Sequence, residues 1–217
     1  MKTLTVRHPA RYTDLLLPVF AQLAKGRKSI LDPMAGTGKI FLLREHGITT
    51  EIKAIEIEPE WAAMHPETQM GNALDLPFPN SYFDCVIVSP CYGNRMADHH
   101  HAKDSSHRNT YTHALGRTLH DDNSGAMQWG LQYKAFHVAA WAEVHRVLCV
   151  DGSFILNVKD HIRKGQRQHV VDWHIETLVT HGFTLLQHVK VNCPGNRFGQ
   201  NGKARIDYES VLEFKRV

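Results

Sequence analysis

Apolar residues along the chain gather in short runs, and the runs alternate between strand-like and helix-like spacing. Residues 29–32 form a short apolar strand. A helix over 39–46 follows, and Gly47 ends it. Residues 52–57 read as the next strand, and Pro59 fits the first turn of a helix running through Trp61 and Met64. A third strand is predicted around 68–71. A fourth spans 83–88, where Phe83-Asp84-Cys85-Val86-Ile87-Val88 is apolar enough to be buried. The helix predicted over 133–148 carries Phe136, Ala139, Ala140, Val144, Val147 and Leu148. Asp151-Gly152 then turns into a strand over 153–158, and a helix over about 170–181 stops at Gly182. Two β segments, 184–191 and 208–214, close the chain. Val211 and Phe214 alternate imperfectly, which leaves the register of the last segment open.

Regular β–α alternation predicts an α/β fold, a mostly parallel sheet with helices on both faces. The closing pair of strands, with no helix between them, predicts an antiparallel hairpin at one end. At 217 residues the chain is expected to form one domain over 1–217. One segment breaks the pattern. Residues 93–130 are polar, rich in His, Asn, Asp, Ser and Arg, and too long for an ordinary connection. They read as a lid or substrate-contacting insert, or else as a disordered loop. Met127 and Trp129 need somewhere to pack and argue against complete disorder.

Composition narrows the class. Hydrophobic residues make up 42% and charged residues 22%, ordinary for a globular protein. No apolar run is long enough for a membrane span, and residues 1–8 lack the apolar core of a signal peptide, so a cytoplasmic protein is expected. Four scattered cysteines do not suggest a disulfide framework, and Cys85 and Cys149 sit in apolar contexts expected to be core. A net charge of +3 does not by itself identify a nucleic-acid binder. The basic residues do cluster, at 25–28, at 159–167 and at 190–205, and each cluster reads equally as solvated surface or as a phosphate track. His99-His100-His101, with His107 and His113, does not match structural zinc spacing and lacks a cysteine pair, so no metal is expected.

Two strand ends carry the candidate chemistry. The first strand runs into Asp32-Pro33-Met34-Ala35-Gly36-Thr37-Gly38, a glycine-rich turn leading to a helix, which allows close backbone approach to a nucleotide-like ligand. It is not a phosphate loop, because Gly38-Lys39 is followed by Ile40 and residue 33 is not glycine. Glu56 ends the second strand about 20 residues on, where a carboxylate can accept two ribose hydroxyls; Glu58 competes for that role. Ile57 can pack on an adenine face. A polar side chain in the Gly71-Asn72-Ala73 stretch can reach the adenine amine. The fourth strand ends in Ser89-Pro90-Cys91-Tyr92, a small polar residue, a proline and an aromatic suited to a flat, amino-bearing base.

With these motifs in order, the chain resembles the class I S-adenosylmethionine-dependent methyltransferases. It is most similar to the group that methylates DNA at cytosine N4 or adenine N6. Asp32 to Gly38 matches that family's Asp-Pro-Phe-x-Gly-Ser/Thr-Gly turn, and Ser89 to Tyr92 its Ser/Asp/Asn-Pro-Pro-Tyr/Phe tetrapeptide, with Cys91 in place of a proline. His8-Pro9 and the helix over 15–23 resemble its entry segment, with Thr13 replacing a second proline. Residues 147–152 resemble its helix-to-strand turn. The resemblance implies a Rossmann-like sheet of order 3-2-1-4-5-7-6 with the seventh strand antiparallel. It implies S-adenosylmethionine held by Asp32, Pro33, Ala35, Gly36, Gly38, Glu56, Ile57, Asn72 and Ala73. It implies catalysis by Ser89, Pro90 and Tyr92 on a base in DNA, with RNA as the alternative.

The chemistry accounts for the residue types. An exocyclic amine is a poor nucleophile because its lone pair is delocalised into the ring. Acceptors on its N–H groups, here the Ser89 hydroxyl and the Pro90 carbonyl, favour charge localised on the attacking nitrogen. Tyr92 would stack on the base. A base in duplex DNA must first be flipped out, and the insert is the material available for groove contacts: Asn94, Arg95, Arg108, Asn109, Tyr111 and Arg117 are the candidates. Cys91 stiffens the turn less than proline, so a working variant and a silent cofactor-binding module both stay open. By the resemblance, serine in the first position implies cytosine N4 ahead of adenine N6, whose enzymes more often carry Asp or Asn there.

Overall fold

The apolar runs become strands of one seven-stranded sheet in a computed structural model that describes residues 8–9, 13–97, 110–194 and 202–217. The strands are β1 (Ser29–Asp32), β2 (Glu51–Glu56), β3 (Thr68–Met70), β4 (Phe83–Val88), β5 (Leu148–Val158), β6 (Phe183–Asn192) and β7 (Tyr208–Arg216). Their order is β3-β2-β1-β4-β5-β7-β6, as the resemblance implies. The first five are parallel, and β7 runs antiparallel between β5 and β6. That interior position explains the broken alternation of the last segment. Residues 210–214 are buried in succession because β7 has a strand on either side and its middle is covered on both faces.

Alternate residues feed opposite faces. Leu31, Val86 and Val88 join α4 (Leu131–Val147) and α5 (Val170–Thr180) in one core, around Trp141, Phe154 and Phe214. Ile30, Cys85 and Ile87 join α1 (Leu17–Leu23) and a 3-10 helix (Lys39–His46) in the other, around Phe20 and Ile40. Several expected elements change in detail. Residues 39–46 are 3-10 rather than α-helical, between left-handed glycines at 38 and 47. The short α2 (Pro59–Ala62) stops before Met64, because Pro66 disfavours helical backbone at His65. Asp151 adopts φ 61° inside β5 instead of preceding it. Cys149 is half-buried rather than core, its thiol donating to the Ser81 carbonyl at 3.0 Å. A two-stranded ribbon over 161–168, not foreseen in the pattern, follows β5.

The insert is folded where it is described. Thr110 caps α3 (Tyr111–Leu115), and Asn123 caps a 3-10 turn over Ser124–Ala126. Gly93 closes the segment, with φ 61° and a backbone so near that a Cβ there would sit 2.7 Å from the Trp129 nitrogen. The Trp129 N–H donates to the Gly93 carbonyl at 2.8 Å. Met127 and Trp129 pack into the core, as their size requires. No helix among the described residues is long and apolar enough to cross a membrane.

Candidate active site

Parallel pairing brings the informative strand ends to one edge. Asp32 pairs with Ala54, which places Glu56 just beyond the end of β1. Leu31 pairs with Val86, so Ser89 emerges beside the Asp32 turn. A cavity of about 600 Å³ lies at this carboxyl edge, within the range of small-molecule sites. Both the Asp32–Thr37 turn and Ser89–Tyr92 line it.

On the turn side, Gly38 takes φ 76°, and a Cβ there would meet the His65 Cβ at 2.5 Å. Only glycine lets the chain turn that close to its neighbour. Asp32 is buried and its Oδ1 accepts the Met34 N–H at 3.0 Å. Glu56 is buried too, its oxygens accepting the Gly36 N–H at 2.8 Å and the Glu58 N–H at 2.9 Å. Each carboxylate oxygen keeps another lone pair for a ligand hydroxyl. Burial pushes Asp32 up to about 7, opposed by the Met34 N–H and aided by the charge of Glu56. Burial likewise pushes Glu56 up to about 7, against the N–H groups it accepts. Pro33, Ala35, Ile57 and Ala73 line the cavity as well.

Glu58 is turned elsewhere. It is fully buried, and its Oε1 accepts from the His120 N–H at 2.7 Å and the Asn123 amide at 2.8 Å. Its Oε2 accepts from Arg117 at 2.7 Å. This carboxylate anchors the insert and leaves the cavity side to Glu56. Arg117 is thereby placed differently from its expected substrate contact. Glu58 and Glu60 clasp its guanidinium, and it does not line the cavity. Asn72 and Gly38 also stand behind the lining. Asn72 donates to Asp122 at 2.8 Å, so the polar group facing the cavity here is Asp122, from the insert. Nothing in the sequence marked that aspartate.

The tetrapeptide is held from three sides. Ser89 Oγ accepts from Asn157 Nδ2 at 3.0 Å, and the same amide donates to Tyr92 Oη at 2.8 Å. The Tyr92 hydroxyl donates to Glu209 at 2.9 Å, and Lys159 pairs with the other Glu209 oxygen at 3.2 Å. Behind the turn, Tyr133 donates to the Cys91 carbonyl at 2.8 Å. His174 Nε2 lies 3.3 Å from that phenol, and its Nδ1 accepts from Trp141 at 3.1 Å. The Trp141 bond fixes the neutral tautomer with its proton on Nε2, and burial holds the imidazole well below its usual pKa. The Cys91 thiol faces the insert, within hydrogen-bond reach of the Tyr111 and Ser124 hydroxyls, and loss of hydration pushes it up to about 11. The cysteine thus ties the turn to the insert in a way proline could not.

Of the other candidates, Asn94 and Tyr111 line the cavity, and the Asn94 side chain also accepts the Met96 N–H at 2.9 Å. The backbone of Arg95 starts a 3-10 turn. Arg108 and Asn109 lie outside the described residues, as do His99, His100, His101 and His107. Among the described residues no group of three or more His, Cys, Asp or Glu converges on a metal position. His8 packs edge-on against Trp61 at 4.4 Å and lines the cavity with Pro9.

No family model matches the sequence, and no curated protein does. Solved structures are similar. A methyltransferase dependent on S-adenosylmethionine, from Methanosarcina mazei, is 14% identical with a TM-score of 0.58, over 92% of this chain and 97% of that one. Geranyl diphosphate methyltransferase, in complex with S-adenosylmethionine, is 10% identical with a TM-score of 0.59, over 94% and 86%. Burkholderia thailandensis 1,6-didemethyltoxoflavin-N1-methyltransferase, with 1,6-didemethyltoxoflavin and S-adenosylhomocysteine bound, is 17% identical with a TM-score of 0.52, over 93% and 76%. At such identities the likeness is one of fold, and the fold is the Rossmann-like α/β fold of S-adenosylmethionine-dependent methyltransferases.

Proposed function

We propose that this protein is an S-adenosylmethionine-dependent methyltransferase acting on the exocyclic amine of a DNA base, cytosine N4 ahead of adenine N6. The observation that carries the reading is one cavity lined on one side by a glycine turn and a spare-valence acid, Glu56, and on the other by Ser89-Pro90-Cys91-Tyr92. The residues present fit the cofactor. Glu56 has lone pairs for two ribose hydroxyls, Ile57 offers an apolar face, and Asp122 offers an acceptor at the position argued for the adenine amine. Bound S-adenosylmethionine would supply an electrophilic methyl group on sulfur.

The chain's own residues do the rest. Ser89 Oγ and the Pro90 carbonyl accept from the amine and favour charge localised on nitrogen. Tyr92, pinned at its hydroxyl by Asn157 and Glu209, keeps its ring available to stack on a base. A nucleic acid is supported by charge at the same edge. The 161–168 ribbon leaves β5 there and carries Arg163 and Lys164, while its Arg167 is held by the buried Asp160, and Arg205 lines the cavity. A second reading has one observation in its favour: one protein of similar fold is a 1,6-didemethyltoxoflavin-N1-methyltransferase with 1,6-didemethyltoxoflavin itself bound. The same oxygens would serve a free amine-bearing ring.

Labelled methyl transfer to DNA, to RNA and to free nucleosides decides among these, and mass spectrometry of digested DNA names the base. N4-methylcytosine is expected. Transfer confined to RNA or to free heterocycles would overturn the DNA assignment, and transfer to nothing with intact cofactor binding would leave a silent module.

A further inference from the structure

The hydrogen bonds around Ser89 have a direction, and the direction selects a class of substrate. The amide Nδ2 of Asn157 only donates, and it gives one N–H to Ser89 Oγ and the other to Tyr92 Oη. Glu209, paired with the Lys159 ammonium through Oε1, only accepts, and it takes the Tyr92 proton on Oε2. Tyr92 Oη has then given its proton and received one, and a single lone pair is left. Ser89 Oγ stands 3.4 Å from that oxygen. With one lone pair occupied by Asn157, the Ser89 proton has the Tyr92 oxygen as its partner. That leaves the second Ser89 lone pair for a ligand in the cavity that the residue lines.

We infer that Glu209 is a positioning residue that acts through the Tyr92 hydroxyl to make Ser89 present an acceptor, so that the site takes N–H-bearing rings and rejects a carbonyl at the same position. The inference rests on the amine-methyltransferase reading and deepens it. It gives work to two groups that no motif marks: Asn157, fully buried with its Oδ1 unpartnered among the described residues, and Glu209 on the antiparallel strand. Asn157 comes from β5, the neighbour of β4, and Glu209 from β7 on the far side of β5, so the polarity of the tetrapeptide is set by the sheet and not by the turn alone. Replacing Glu209 with glutamine would supply a donor as well as an acceptor. The chain could then run backwards, with the Ser89 proton turned into the cavity.

The test is a double-mutant cycle of Glu209→Gln and Tyr92→Phe. It is read as single-turnover methyl transfer to an oligonucleotide, with S-adenosylhomocysteine binding measured on every variant. Each single change is expected to slow transfer by roughly tenfold or more while cofactor affinity stays within about twofold. The double variant should be no slower than Tyr92→Phe, because among the described residues the phenol is what links Glu209 to Ser89. Losses that multiply would overturn the inference, since Glu209 would then act independently of the phenol. Glu209→Asp, whose carboxylate is one methylene short, serves as a second variant and should show the same masking. Full activity in Glu209→Gln and Glu209→Asp alike would also overturn it. A wild-type protein that methylates no amine defeats the underlying reading instead, which keeps the two failures apart.

Discussion

Removing Glu58 tests the division of labour between two acids only two residues apart. Glu58→Ala deletes a carboxylate that accepts from Arg117, from the His120 N–H and from the Asn123 amide. The three losses differ in weight. Asn123 is 8% exposed, so its amide would be left buried and unpaired, costing about 1–3 kcal/mol. The Arg117 side chain is 40% exposed and keeps Glu60, so its share is about 0–1 kcal/mol. His120 is an exposed residue, so its N–H can turn to water. The small cavity adds to the loss, while relief from burying a charge subtracts from it. With those two opposed, the sum is about 1–4 kcal/mol, and Glu58→Gln, which keeps an acceptor for Asn123, should lose less. Because the contacts all run to the insert, hydrogen exchange is the assay. Amides of residues 111–127 should lose roughly five- to thousandfold protection, with smaller changes in β1 and β4. S-adenosylhomocysteine should still bind Glu58→Ala and should fail to bind Glu56→Ala. Unchanged exchange in 111–127, or the reverse pattern of cofactor binding, would refute the assignment of Glu58 to the insert and Glu56 to the ligand.

Ser89→Ala should reduce methyl transfer by about a hundredfold with cofactor affinity preserved, measured by single turnover and calorimetry; equal loss of both would mean the tetrapeptide serves the cofactor. Tyr133→Phe strands the Cys91 carbonyl and the His174 N–H in the core and should cost about 1–3 kcal/mol in urea denaturation. Cofactor affinity should rise with pH. Glu56 stands near 7 when the cavity is empty, and ligand hydroxyls that donate to its charged form pull that value down, so binding releases a proton. The affinity for S-adenosylhomocysteine then climbs from pH 6 to 8, by at most about tenfold per unit per proton, and levels off above. Asp32, raised likewise by burial, acts in the same direction, and Glu56→Gln should flatten the slope in part. An affinity that falls over this range would contradict the burial of these acids.

What was legible in the sequence followed local rules. Strands β1 and β4 begin and end where the apolar runs do, because buried parallel strands are apolar on both faces and stop at polar turns. The glycine turn and the tetrapeptide lie in such ends, so their meeting at one edge followed from β1 pairing with β4. Other features are decided by partners far along the chain. Glu56 and Glu58 look alike in sequence, and it is Arg117, His120 and Asn123, about 60 residues on, that claim one of them. Arg117 misled for the same reason: a cation in a polar segment reads identically whether it meets solvent, a phosphate or a buried carboxylate.

The network behind Ser89 did leave one signal. Asn157 is a lone amide in the apolar run of β5, one residue before its carboxyl end. A buried strand rarely carries a polar side chain without a partner, so such a residue demands one somewhere. Position along the strand then says whether that partner belongs to the site. Glu213 and Glu209 share a face of β7, four residues apart. Glu213 meets Ser153 and Gln187 deep in the sheet, where its contacts are structural. Glu209 and Asn157 lie at the edge where the parallel strands end, and there the same chemistry faces a cavity. In a sheet of this kind an isolated polar residue near a strand's carboxyl end is therefore a site candidate even when no motif surrounds it, and one a turn's length earlier is not.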